Sequence, residues 1–322
     1  MTLTDKLVQL LVAVVVFAAV IVLVLFVAGR LRGGRAEKWQ GLTFVLPALL
    51  LLAVGLVYPA LRTVSQSFLD RNSASFVGVD NYLAIFTRPE LLQVLGNTAL
   101  WVILTPIFAT AIGLVYAVLV DNTRFESFAK ALVFLPMAIS FVGATIIWKF
   151  VYEYRPNQQG IQQIGLVNQF LVWLGLEPVN LFLVPGWNNV LLIIIMIWIQ
   201  AGFAMTILSA AIKAIPDDIT EAARLDGAGS MRMFFSITLP SIRPALVVVL
   251  TTISIGVLKV FDIVRTATGG QFGTSVIANE FYSQSFRIRD LGIGSALAAL
   301  LFVLVVPIVV YNVRQMRKVD AR

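Results

Sequence analysis

The chain has 322 residues, 59% of them hydrophobic and only 13% charged, with a net charge of +7 and a mean hydropathy of +0.91. A water-soluble domain carries about twice that charged fraction, so the composition excludes an ordinary soluble globular protein. Cysteine and histidine are both absent, which excludes disulfides, thiol nucleophiles, thiolate or imidazole metal sites and histidine acid–base chemistry.

Seven apolar segments follow one another, at 7–28, 42–61, 97–120, 131–152, 189–212, 245–263 and 294–313. Each is near or above the roughly 18–20 apolar residues that cross a bilayer as a helix, and no alternating pattern of a membrane barrel occurs. The predicted fold is all-α, a polytopic helical bundle of six core spans with one extra helix at the N-terminus. Segment 7–28 is nearly pure Val, Leu, Ala and Phe, long enough to span roughly 33 Å at about 1.5 Å per residue. Its positive charge (Arg30, Arg32, Arg35, Lys38) follows the apolar run, whereas a signal peptide carries it in front. A retained helix is expected, and the chain is divided into 1–41, that helix with its basic linker, and 42–322, the bundle with a loop at 213–244.

Loops 29–41, 121–130, 213–244 and 314–322 are about threefold denser in Lys and Arg than the loops on the other side, which makes them cytoplasmic by the positive-inside bias. The N-terminus is then outside and the C-terminus inside a cell membrane. Segment 62–96, with Phe68, Phe76, Tyr82, Phe86 and Pro89, is expected to pack as a small cap. In segment 153–188, residues 161–174 read as an interfacial helix, with Trp173 and Trp187 at headgroup level.

The one long polar stretch between spans is EAARLDGAGSMRMFFSITLP at 221–240. Pro216 suits a first helical residue, and Asp217, Asp218 and Glu221 complement the dipole at the helix start. Ile219, Ala222 and Ala223 make a narrow face of small residues, Glu221 and Arg224 can pair across a turn, and Gly227 supplies a left-handed stop. Ser230 suits the cap of a second short helix. A helix lying on lipid would set bulky apolar residues against lysines. This one sets alanines beside acids, which an anionic leaflet repels, so a docking surface for a cytoplasmic partner is expected.

Glu221, Ala222, Ala223, Asp226, Gly227, Ile237, Leu239 and Pro240 resemble, in type and spacing, the signature loop of permease subunits from binding-protein-dependent ABC importers. The resemblance covers roughly 42–313 and implies a non-catalytic subunit. Glu221, Ala222, Ala223, Arg224, Asp226, Gly227, Leu239 and Pro240 would form the coupling element seated on a cytoplasmic ATPase. It further implies a second homologous permease, two copies of the ATPase carrying ATP and Mg²⁺, and an extracytoplasmic solute-binding protein. This chain itself would bind no cofactor and no nucleic acid, its other contacts being sugar and membrane lipid. The chain has no Gly-x-x-x-x-Gly-Lys-Ser/Thr phosphate cradle, as that division of labour requires.

Trp198-Ile199-Gln200-Ala201-Gly202-Phe203 is similar to the larger maltose-type subunit, and LKVFDIVRTATGGQFGTSVIANEFYSQSF at 258–286 to permeases for α-glucosides. The resemblance thus implies di- or oligosaccharides such as maltose, sucrose or trehalose. Gln200, Phe203, Ser254, Lys259, Phe261 and Asp262 are candidates for the substrate path, offering amide, hydroxyl and charge for sugar hydroxyls and aromatic faces for the C–H surface. Lys259 and Asp262 lie three apart in the sixth core segment, where they could neutralise each other, since a lone charge at mid-bilayer costs about 2.5–3.5 kcal/mol on insertion scales. Lys149 stands near a span end, where its stem can snorkel. The alternatives are a permease for another small solute, an ion-coupled secondary transporter using Lys259 and Asp262, or, more remotely, a membrane enzyme.

Overall fold

The computed structural model describes residues 3–30, 36–121, 123–156, 158 and 162–320; Arg32, Arg35 and Ile161 of the sequence reading fall outside them. The helices divide into two compact units, residues 1–65 and 66–322, one span later than the boundary read from sequence at 41/42.

In the first unit, α1 (Leu3–Arg30) and α2 (Ala36–Leu52) are followed by a π-helical turn at Ala53–Val57 and by α3 (Tyr58–Gln66). The π turn has a local cause. Pro59 cannot donate to the ladder and its ring crowds the preceding turn, so the Tyr58 N–H reaches back to Ala53 O instead. The span Gly41–Gln66 exposes its apolar side chains on every side within its own unit, Leu51 by 76%.

The second unit begins with α4 (Asp80–Thr87), α5 (Pro89–Val120) and α6 (Glu126–Phe134). A 3-10 turn at Leu135–Ala138 leads to α7 (Phe141–Val151), then come α8 (Leu166–Trp173) and α9 (Trp187–Lys213). The loop after α9 carries α10 (Asp217–Leu225), α11 (Ser230–Met233) and α12 (Leu239–Ser241), and α13 (Arg243–Leu258) returns along the bundle. Two short helices, α14 (Asp262–Ala267) and α15 (Ile277–Tyr282), precede α16 (Leu291–Asp320). The described residues form no strand; Leu69 and Phe76 make an isolated bridge.

Helices α5, α9 and α16 are each long and apolar enough to cross a membrane. The segment 131–152, expected as one straight span, is instead broken, with α7 turned 103° from the helix before it. Pro136 removes a backbone donor, and Ser140 starts a new helix by accepting the Gly143 N–H at 3.1 Å. A second bend of 66° lies between α12 and α13, beside Pro240 and Pro244.

Side chains cannot be driven together by water in a bilayer, so close backbone approach and packing hold such bundles. At Gly113 of α5 a β-carbon would stand 2.6 Å from Ala204 Cβ and 2.6 Å from Met205 N of α9, so only glycine permits this crossing. Around it lie Trp101, Leu192, Met196, Met205, Leu208 and Ile253, all buried. A smaller core (Ile85, Leu91, Val94, Ile277, Ile293, Leu297) joins α4, α5, α15 and α16. The expected cap forms after residue 66: Asn81 Nδ2 donates to Ser67 O and Leu69 O, and Phe68 stacks on Tyr82. Trp173 and Trp187 are exposed by 74% and 65%.

Candidate functional site: the 214–245 loop and a polar path

Helix α10 forms where the sequence places it. Pro216 is its cap residue rather than its first helical residue, with φ −56° and ψ 134°. At the other end Gly227 takes φ +76°, open to glycine without steric penalty. Gly227 N–H donates to Arg224 O and Ala228 N–H to Ala223 O, both at 3.0 Å, the paired closing bonds of a left-handed helix stop. The C-terminal end is therefore closed by the helix's own backbone, while at the start Ile219 N–H donates to Pro216 O at 3.2 Å and no side chain caps the helix.

Its surface is not finished. Glu221, Ala222, Arg224, Asp226 and Gly227 are exposed, Leu225 by 89% and Ile219 by 47%. The Glu221–Arg224 pair expected from spacing does not form, so both side chains are free to meet other groups. Ser230 is not a cap either: Gly229 occupies that place and Ser230 opens α11 without a side-chain hydrogen bond. A π turn at Phe234–Thr238 follows, placed just before Pro240 as the one at Ala53–Val57 lies just before Pro59. Leu239 and Pro240 form α12, at the elbow into α13. Between the α9–α10 corner and the start of α13 lies a cavity of about 360 Å³ lined by Ala214, Ile215, Ile219, Ile242 and Pro244.

Lys213, the last residue of α9, pairs with Glu126 of α6. Lys130, also on α6, stands 2.8 Å from Glu126 Oε1, 2.5 Å from Asp121 Oδ1 and 2.5 Å from Ser209 Oγ. Ser209 Oγ donates to Asp121 at 2.7 Å. Sequence reasoning passed over this cluster because its helices are far apart in the chain, Asp121 and Ser209 by 88 positions.

The proposed path residues fall in two groups. Gln200 and Phe203 are half-buried on α9, one turn apart, and Ser254 is half-buried on α13 with its hydroxyl on Leu250 O at 2.8 Å. Gln200 faces α13: its Nε2 is 3.9 Å from where a β-carbon on Gly256 would lie. Lys259, Phe261 and Asp262 differ from expectation. Helix α13 stops at Leu258, Lys259 is its cap and Asp262 opens α14, so the two charges do not share a helix. Both are exposed and no ion pair joins them. The break buries Val257, Val260, Ile263 and Val264 together, a tertiary gain that outweighs continuing the helix. Phe261 stacks on Tyr282 with ring centres 5.2 Å apart. Lys149 is exposed in the last turn of α7, as snorkelling requires.

At the end of α9 away from α10, the irregular stretch 268–277 is held by amides. Asn97 Nδ2 donates to Gly273 O at 2.7 Å and Ser275 O at 2.9 Å, and Asn188 Nδ2 to Phe272 O at 2.7 Å. Asn189 Nδ2 donates to Asn97 Oδ1 and Gly273 O, both at 3.2 Å. Non-helical backbone at such a place needs internal partners, and these asparagines supply them.

An osmoprotective-compound uptake permease protein of Synechocystis is 50% identical over 85% of this chain and 98% of its own length. An alpha-glucoside transport system permease protein of Rhizobium meliloti is 47% identical over 84% of this chain and 80% of its own. In fold, the chain is similar to a subunit of a bacterial ABC transporter that imports alginate, with a TM-score of 0.74 at 23% identity over 88% of this chain and 97% of that one. Residues 102–318 match the family described as binding-protein-dependent transport system inner membrane components, and the chain, a multi-pass helical membrane protein, belongs to that family.

Proposed function

We propose that the chain is the transmembrane permease subunit of an ATP-driven importer for α-glucosidic di- or oligosaccharides, forming half of the translocation pathway. The observation that carries the coupling role is α10, a helix closed at its C-terminal end by its own backbone yet leaving Glu221, Ala222, Arg224, Leu225 and Asp226 exposed. Such a surface is complete only against a partner. The coupling residues are Glu221, Ala222, Ala223, Arg224, Asp226 and Gly227, with Leu239 and Pro240 at the elbow. The sugar class is supported by the name of the 47% identical Rhizobium relative.

The α10 end carries Arg124, Lys130, Lys213, Arg224, Arg232 and Arg243, which supports its assignment to the cytoplasm. The N-terminus then lies outside and the C-terminus inside. Two cytoplasmic ATPases, holding ATP and Mg²⁺, engage α10 and its counterpart on a second, homologous permease. A solute-binding protein delivers sugar to the opposite face. Gln200, Phe203, Ser254, Lys259, Phe261 and Asp262 line the path, with Lys259 and Asp262 at its outer end as separate charges. Residues 1–41 are an accessory helix and linker, and 42–322 the permease domain. A second reading, an osmoprotective solute as cargo, is favoured by the 50% identical Synechocystis relative.

The test is to purify the complex in lipid and measure which solute-loaded binding protein stimulates its ATPase. Stimulation by an α-glucoside-loaded protein supports the proposal. Stimulation only by another solute moves the cargo to the second reading. Solute uptake by this chain alone, driven by an ion gradient, contradicts both.

A further inference from the structure

Three elements meet at the foot of α9. Asp121 caps the end of α5, Glu126 and Lys130 lie one turn apart on α6, and Ser209 and Lys213 lie one turn apart on α9. The Asp121 side chain is 5% exposed, Glu126 and Lys130 23% each, and Lys213, at the rim, 46%. The charges balance, two carboxylates against two ammonium groups. Lys130 reaches an oxygen on each of its three neighbours, and the Ser209 hydroxyl links Lys130 to Asp121. Glu126 is shared between Lys130 on its own helix and Lys213 on α9.

The position gives the cluster mechanical meaning. Lys213 ends α9, and after Ala214 and Ile215 the chain reaches Pro216, the cap of α10. On one side of this corner is the ionic cluster; on the other is the 360 Å³ cavity facing α13. An open groove of about 470 Å³ also runs between α6 and α9 beside Lys130, Ser209 and Lys213, so on that side it is the ionic contacts rather than close packing that hold the foot of α9 to α6. Separating Lys130 from Asp121, whose side chain is 5% exposed, would leave a largely buried carboxylate uncompensated, which is costly. The cluster is suited to staying closed while its surroundings move.

We propose that Glu126, Lys130 and Lys213, with Asp121 and Ser209, form a permanent ionic strap that makes the foot of α9 move together with α5 and α6, so that motion of α10 is delivered to the spans instead of being absorbed in the 214–216 corner. These are positioning residues, acting through α9. The inference rests on the proposed coupling role of α10.

The natural absence of cysteine makes a direct test possible in the assembled transporter. Lys213→Gln should lower sugar transported per ATP by about fivefold or more, the small end of ordinary coupling energies, while binding-protein-stimulated ATPase stays within about twofold of the parent. Lys213→Arg, which keeps the cation, should recover most of the ratio. The double variant Glu126→Cys/Lys213→Cys should be uncoupled when reduced and recoupled when a short bifunctional thiol reagent joins the two positions. A wild-type ratio in Lys213→Gln, an equal fall of ATPase and transport, or loss of the remaining transport on cross-linking would each overturn the strap. If the parent complex shows no binding-protein-stimulated ATPase, the coupling reading itself fails, and the strap with it.

Discussion

The two ends of α9 are built in opposite ways. Around Asn188 and Asn189 the neighbouring backbone at 268–277 is closed off by side-chain amides, and Thr98 Oγ1 takes the Ile277 N–H at 3.0 Å. Beyond Lys213 the chain runs into α10, whose Glu221, Ala222, Arg224, Leu225 and Asp226 side chains stand exposed. The difference separates two kinds of irregular segment in a membrane protein. A segment that only closes the bundle must satisfy itself, because each orphaned buried polar group costs about 1–3 kcal/mol. A segment that serves a partner keeps its backbone satisfied by local capping and leaves its surface unspent.

Breaking the contrast at the α10 end should have the largest effect. Gly227→Pro removes the N–H that closes the helix and forbids its φ of +76°. Transport should fall by about two orders of magnitude, an uncoupling toward the upper end of common allosteric terms, with membrane insertion and the amount of protein unchanged. The opposite end should fail differently. Asn189→Leu strips partners from Asn97 Oδ1 and the buried Trp101 indole N–H, costing about 1–3 kcal/mol for each group left unpaired. It should lower the thermal midpoint in detergent and reduce transport in proportion to folded protein, with the transport-to-ATP ratio intact.

Two smaller changes sharpen the comparison. Gly113→Ala forces a methyl group to 2.6 Å from Ala204 Cβ and should cost about 1–3 kcal/mol through overpacking, seen again as a lower midpoint. Leu225→Ala alters a side chain 89% exposed, so the isolated chain should keep its stability within about 0.5 kcal/mol. The same variant should dissociate faster from its ATPase partner, which a co-purification yield measured against dilution would register.

Where the fold was legible in sequence, local chemistry determined the outcome. The start and stop of α10 follow from Pro216, the acids after it and Gly227, all of which act within one turn. The long helices at Gly41–Gln66, Pro89–Val120, Trp187–Lys213 and Leu291–Gln315 follow from apolar length alone. The break in 131–152 had its signals in Pro136 and Ser140, two ordinary helix punctuators, masked by the apolar run around them. The break after Leu258 had none: no Gly or Pro lies between 257 and 262, and the turn is set by packing of Val260 and Ile263 into the core. That is why Lys259 and Asp262 read as neighbours on one helix and stand apart in the fold. The Asp121–Lys130–Ser209 cluster was illegible for a similar reason, since no local pattern links α5, α6 and α9.

The central claim is that α10 is the surface gripped by the ATPase, and because the chain contains no cysteine a single Ala222→Cys substitution tests it. The rate of maleimide labelling should be compared for this chain in lipid alone and in complex with its ATPase. The account predicts free labelling alone and protection by about tenfold or more once the partner is bound, the scale of a residue sequestered in a specific interface. Equal labelling in the two states would contradict it.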